Sequence, residues 1–342
     1  MAYHSTTLRS KKNHLTLDEL HLNNEVRAKI NQLLEEFTFR DALSKLNIPV
    51  DNKILLHGHT GCGKTATAHA IGLALNKKVI TINLSGFVSS KLGETAKNLA
   101  ELFKEASIDG AILFIDEFDF VGKLRDYDEK DSGEMKRLVN ALIQQIDHLS
   151  DNTLLICATN HIHIIDTALL RRFQIKLNYE LPSQKSLDVY YDSILAKYPE
   201  NINAVKRSYG ISYAEAKDIA HQQIKANAIQ FEKQKKHLLF VYDAFKLTED
   251  EKPNGTKDSL SGYKLENLDK KEASSLEKHG ANSSLIAFNS ADKSDTIEGF
   301  VVEVTGEVLI QTDKLKFSDY KRVCATTNLG TEIWVYISNK SA

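Results

Sequence analysis

The sequence is sparing with the residues that mark several protein classes. It holds only 3 cysteines in 342 residues, Cys62, Cys157 and Cys324, with no CxxC pair. That excludes a disulfide-stapled scaffold and suits a reducing compartment. With 4 prolines and 16 glycines it is neither collagen-like nor of low complexity. Its longest apolar runs, such as residues 111–115 and 239–242, are far short of the roughly 20 residues a membrane-spanning helix needs. No apolar stretch follows the basic residues of the N-terminus, so no signal peptide is expected and the reading is cytoplasmic, with no membrane partner. Charge of one sign is lacking too. The 44 basic and 46 acidic side chains leave a net −2, which gives no global reason to bind nucleic acid.

What is present is an ordinary globular mix, 42% hydrophobic and 26% charged, long enough for about two domains. Val26, Ile30, Leu33 and Leu34 recur at helical spacing and predict a helical segment over residues 23–46. Five β-rich runs follow, at 53–57, 78–83, 111–116, 153–158 and 174–179. Amphipathic helices lie between them, one carrying Leu99, Leu102, Phe103 and Ala106 and another Met135 through Leu149. Such alternation predicts a parallel sheet covered by helices on both faces. After Pro182 the strand signal stops and helical patterns occupy 186–197 and 213–235. Residues 300–304, 308–311 and 332–337 regain strand character, with Gly306 and Gly330 at turns. The expected organisation is a flexible segment 1–19, an α/β core 20–181, a helical domain 182–246, a polar linker 247–282 and a small β-rich module 283–342.

Directly after the first strand stands GHTGCGKT, in which Gly58, Gly63, Lys64 and Thr65 satisfy the P-loop pattern. Glycines let such a loop aim successive backbone N–H groups at a polyanion, in conformations a Cβ would obstruct. Lys64 is expected to reach the β- and γ-phosphates and Thr65 to ligate Mg²⁺, with the following helix pointing its N-terminus at the phosphates. The second element is the apolar strand 111–115 ending in Asp116 and Glu117. A solvated strand end explains such a pair in isolation. Beside a P-loop, Asp116 is read as a Mg²⁺ ligand acting through its waters and Glu117 as the group that polarises the attacking water. Asn160, ending a third buried strand, is either a turn former or a hydrogen-bond partner of that water or of the γ-phosphate. Arg171 and Arg172 are either surface charge or arginines supplied across an interface to stabilise phosphoryl transfer.

In this order, the four elements resemble the AAA+ ATPases, most closely the branch of ATP-dependent unfoldases and remodellers, over about residues 20–231. The resemblance implies a P-loop NTPase-type α/β fold with a helical lid after Pro182, and ATP and Mg²⁺ as cofactors. It implies that Gly58, His59, Thr60, Gly61, Cys62, Gly63, Lys64, Thr65 and Ala66 hold the nucleotide as the Walker A motif, and that Asp116 and Glu117 are the Walker B pair. Asn160 is implied as the first sensor, Arg171 and Arg172 as trans-acting fingers, and residues 210–216 (GISYAEA) as the second sensor region without its arginine. A homo-hexameric ring acting on a protein partner follows, with remodelling or translocation as its work. The alternative is a nucleotide-gated regulator that switches a separate effector, such as a co-encoded protease, without threading it.

Two positions depart from the family pattern. In SSKLGET at 89–95, which resembles the substrate-gripping pore loop, Lys91 stands where an aromatic is usual and leaves Leu92 as the apolar contact. An intersubunit signal of Asp-Gly-Phe type is replaced by Asp147, His148 and Leu149. Histidines 57, 59, 161 and 163 lack the spacing of a zinc site and read as solvated polar groups. Cys62 reads as a small tolerated side chain rather than a redox switch. Lys314, Lys316, Lys321 and Arg322, interleaved with Phe317 and Tyr320, read as a charged edge that discourages aggregation rather than a single-strand-binding surface.

Overall fold

Five short strands organise the first part of the chain: β1 (Lys53–Gly58), β2 (Val79–Asn83), β3 (Ile112–Asp116), β4 (Leu154–Thr159) and β5 (Ile175–Tyr179). In the computed structural model, which describes residues 15–84, 92–123, 132–242, 255–267, 285–290, 292–315 and 320–339, they form one sheet in the order β2-β3-β4-β1-β5. Every pairing in it is parallel, with Leu55 opposite Cys157 and Ile115 opposite the same residue. The chain divides into two compact units, the first reaching Tyr198 and including Val205–His221, the second made of Pro199–Ala204 and Gln222 onward.

The near-continuous apolar character of these strands follows from burial on both faces. Leu55, Leu113, Ile115, Leu155 and Cys157 face one hydrophobic cluster, and Ile54, Leu56, Ile112, Phe114, Leu154 and Ile156 face another. Two helices, α4 (Leu92–Asp109) and α6 (Ser132–Asp147), close the first cluster with Leu99, Phe103, Leu142 and Ile146. The second is closed by α1 (Asn24–Thr38) and α3 (Lys64–Ala74), through Val26, Ile30, Leu33, Ala68 and Ile71. Truncating one of these buried leucines or isoleucines to Ala costs about 2–5 kcal/mol. The expected α/β fold with helices on both faces is therefore the observed one.

Local chemistry sets the element ends. Asn23 caps α1, its side chain accepting from Val26 N at 2.7 Å, a contact worth about 1 kcal/mol. The helical segment expected to run to residue 46 breaks at Phe39, where the Thr38 hydroxyl turns back onto Leu34 O at 2.7 Å, and a separate short helix α2 (Arg40–Lys45) follows. Between β3 and β5 lie α5 (Phe120–Lys123), α6, a 3-10 turn at Ile162–Ile164 and α7 (Thr167–Leu170). The helical expectation after Pro182 corresponds to α8 (Gln184–Leu195) and α9 (Tyr213–Gln234). Ser183 caps α8 by accepting from Ser186 N, and Arg207 pairs with Asp188 and Asp192 on its surface.

In the second unit, β6 (Lys236–Tyr242), β7 (Thr256–Ser261), β10 (Thr296–Thr305), β11 (Tyr320–Thr326) and β12 (Glu332–Ser338) form a mixed sheet in the order β11-β12-β6-β10-β7. A separate hairpin pairs β8 (Tyr263–Asn267) with β9 (Leu285–Asn289). This corrects three expectations. The range 247–282 contains two strands, β7 and β8, whose polar composition hid them because β7 is an edge strand that buries only Asp258 and Leu260. The range assigned to a helical domain up to 246 includes β6, a central strand of the second sheet. Residues 308–311 lie in a helix, α10 (Gly306–Leu315), not in a strand. That short apolar run carries no decisive period. Its Leu309 is buried while Ile310 stays exposed, and the Thr305 hydroxyl accepts from Val308 N to start the helix. The charged residues Lys321 and Arg322 do sit on an edge strand, β11, where Arg322 pairs with Asp313 at 3.2 Å and lies over the Trp334 ring. Lys316 and Phe317 lie outside the described residues.

Candidate functional site

The loop from β1 to α3 is left-handed at three glycines, Gly58 (φ 118°), Gly61 (φ 72°) and Gly63 (φ 101°). Each needs the residue for a different reason. A Cβ on Gly58 would collide with the carbonyl oxygen of Tyr179, the group to which His59 N donates at 2.8 Å. A Cβ on Gly61 would stand 2.5 Å from Ser212 Oγ. At Gly63 space is open, so only the backbone angle demands glycine. Gly63 is also the N-cap of α3, and no side chain caps that helix, which leaves its first N–H groups directed along the axis toward the loop.

Lys64 is buried, and its ammonium donates to Gly58 O at 2.8 Å and His59 O at 2.7 Å. Burial lowers its pKa, an effect that Cys62 and Asp116 partly oppose. The Cys62 thiol is itself buried, which raises its pKa and keeps it protonated. From the other side, Ala214 N donates to Gly61 O at 3.1 Å, and Ser212 and Glu215 form a reciprocal capping box at the start of α9. The segment 210–216 therefore lies against the loop.

At the lip of the loop Thr65 is exposed, and its hydroxyl donates to Asp116 Oδ2 at 3.0 Å. Asp116 closes β3, opposite Asn83 of β2, and its other oxygen accepts from Glu117 N at 2.9 Å. Glu117 takes a left-handed φ of 51°, which ends the strand and leaves the side chain exposed. Asn160 is exposed just beyond β4. β4 pairs with both β1 and β3, so their C-terminal ends sit side by side.

The two arginines part company. Arg172 is held by its own chain, with Nε and Nη2 donating to the two oxygens of Asp147 at 2.6 and 2.9 Å and Nη1 to Ala168 O at 2.7 Å. Arg171, next to it at the end of α7, is exposed and has no ion pair among the described residues. Lys91 lies outside the described residues, and Leu92 is described only as the first residue of α4. His161 and His163 pack edge to face at 5.8 Å, and no cluster of three or more metal-ligating side chains occurs among the described residues. No helix among them is long and apolar enough to cross a membrane.

Sequence reasoning missed a buried pair beneath these tips. Asp119 accepts from the Thr159 hydroxyl at 3.0 Å, and that hydroxyl in turn accepts from His161 N. The visible signal was a third acid two residues beyond Glu117.

The residues fit a magnesium nucleotide. A loop left-handed at three glycines with open space at Gly63, the Lys64 ammonium held against its carbonyls and a helix N-terminus without a side-chain cap suit a polyphosphate. A hydroxyl and a carboxylate are the hard oxygen donors that Mg²⁺ takes.

Geometry of this kind belongs to the P-loop nucleoside triphosphatases. Comparison points the same way: residues 54–181 match the family model described as the ATPase family associated with various cellular activities (AAA). An uncharacterized AAA family ATPase of Sinorhizobium fredii is 33% identical over 59% of this chain and 62% of its own length. A putative 26S proteasome regulatory subunit homolog of Methanocaldococcus jannaschii is 28% identical over 48% of this chain and 46% of its own. An ATP-dependent zinc metalloprotease, FtsH 2, of Sphaerobacter thermophilus is 29% identical over 50% of this chain and 27% of its own. The chain thus spans less than two thirds of each of these relatives. Among solved structures, the FIGL-1 AAA domain in complex with ADP superposes with a TM-score of 0.47 at 21% identity, covering 65% of this chain and 69% of that one.

Proposed function

We propose that the chain hydrolyses ATP with Mg²⁺, assembles as a ring of identical subunits, a hexamer by family resemblance, and couples turnover to remodelling a protein partner. The observation that carries the reading is the Thr65–Asp116 hydrogen bond, which brings two hard oxygen ligands from separate motifs together at the mouth of a phosphate cradle. Bound there, Mg²⁺ supplies charge neutralisation on the phosphate oxygens. Lys64 and the first amides of α3 bind the phosphates, and residues 58–66 shape the cradle. Glu117 accepts the proton of the attacking water, which Asn160 orients from the neighbouring strand tip.

The ring is supported by Arg171. Exposed and without an ion pair among the described residues, it is available to a neighbouring subunit's phosphates, whereas Arg172 is committed to Asp147. A protein partner is supported by the relatives named for a proteasome regulatory subunit and a metalloprotease. Lys91, where the family carries an aromatic, supports a second reading, a nucleotide-gated switch of a separate effector. The test is phosphate release by the purified chain with and without Mg²⁺, alongside sedimentation in ATP. Magnesium-dependent release from an assembled species is expected; full activity of a monomer at high dilution contradicts the ring.

A further inference from the structure

Two residues from outside the β1–α3 loop tie the tips of β3 and β4 together. Asp119 is 5% exposed and Thr159 1% exposed. A carboxylate so buried is costly unless it is hydrogen-bonded, and here its Oδ1 accepts a hydrogen bond from the Thr159 hydroxyl at 3.0 Å. While donating to Asp119, the same hydroxyl accepts from His161 N at 2.9 Å. Asn160 lies between Thr159 and His161, so the hydroxyl fixes the backbone on either side of it.

Two further contacts join the same segments. Phe118 N donates to Ala158 O at 2.8 Å. Gly122 in α5 approaches Ile164 O so closely that a Cβ would collide with it. Residues 118–122, which follow Glu117 directly, and residues 158–164, which contain Asn160, are thus interlocked at three levels. The spacing between the exposed Glu117 and the exposed Asn160 is set below the surface.

We propose that Asp119 is a positioning residue, which through the Thr159 hydroxyl holds Asn160 in register with Glu117 for water activation; this rests on the ATPase reading above. Thr159→Val keeps the shape of the side chain and removes both the donor and the acceptor. It should lower kcat about 10–100-fold, the range a hydrogen bond to a charged group supports, while the dissociation constant for ADP stays unchanged. Thr159→Ser, which retains the hydroxyl, should recover most of the rate.

A bond that merely stabilises the core would lower the melting temperature and act independently of Asn160. The deciding measurement is therefore a double-mutant cycle. On the Asn160→Ala background, Thr159→Val should cost nothing further in kcat. Losses that multiply, or a Thr159→Val protein with full kcat, overturn the inference and leave the ATPase reading standing. No phosphate release by the unmodified chain removes both. Should Thr159→Val fail to fold, Asp119→Asn decides in the same assays: it keeps an acceptor oxygen but weakens the bond, so kcat should fall without a change in ADP affinity and without further loss on Asn160→Ala. Full kcat in Asp119→Asn overturns the inference.

Discussion

The Thr65 hydroxyl donates to Asp116 Oδ2 at 3.0 Å across 51 positions of sequence. The contact exists because β3 lies two strands from β1 in a parallel sheet and both strands end at the same edge. Thr65→Val should therefore reduce Mg²⁺-dependent turnover by about tenfold or more, since it removes a charge-assisted bond and an oxygen ligand. Thr65→Ser should stay near the unmodified rate. Titration of activity with Mg²⁺ checks this, and equal magnesium requirements in the Val and Ser variants would count against it.

Gly61 and Gly63 separate crowding from backbone strain. Gly63→Ala has open space around the new Cβ and pays only for its left-handed angle, about 1–2 kcal/mol. Gly61→Ala pays the same strain and also pushes on Ser212 Oγ, loosening the contact between segment 210–216 and the loop. Denaturant melts should rank Gly61→Ala below Gly63→Ala in stability, and nucleotide affinity should follow the same order.

The two arginines should fail differently. Arg171→Ala is expected to lose about 10³-fold or more in turnover with an unchanged melting temperature, if it acts on a neighbour's phosphates. Arg172→Ala should lose roughly 0.2–1 kcal/mol of stability, because its ion pair is partly exposed. Mixing Arg171→Ala with Lys64→Ala subunits should restore some activity at mixed interfaces. Absence of any such complementation, with both proteins assembled, would contradict action across subunits.

Asp147 gives a pH signature. The hydrogen bond from Arg172 holds its carboxyl below the ordinary 3.8. A carboxylate pKa depressed by folding contributes stability that is present above the unfolded value and lost as pH falls through the folded one. The stability gap between the unmodified chain and Asp147→Asn should be constant above about pH 5, narrow through the ordinary value and vanish below the lowered one. Melting curves across that range check the direction; a gap that widens in acid would be the wrong sign.

Legibility tracked how local the chemistry is. The candidate phosphate loop was readable because its glycines, Lys64 and Thr65 fall within eight consecutive residues, and the strands of the first sheet were readable because burial on both faces makes them apolar throughout. The Asp119–Thr159 bond was not readable, since it joins residues 40 positions apart through adjacent strands. Nor was the inequality of Arg171 and Arg172, which depends on where Asp147 falls after α6 is packed. In the second unit β7 escaped notice because an edge strand can be polar at most positions, and α10 was misread because Val308 to Ile310 fits strand and helix alike.

The most direct test of the account is Glu117→Gln. The amide keeps the shape of the side chain at the end of β3 and removes the base, so the variant should bind ATP as tightly as the unmodified chain and release phosphate at least about 10²-fold more slowly. Lys64→Ala, measured in parallel, should instead bind ATP weakly. Retained ATP on Glu117→Gln with near-absent turnover is the predicted result, and phosphate release by that variant at the unmodified rate would contradict the assignment of the site.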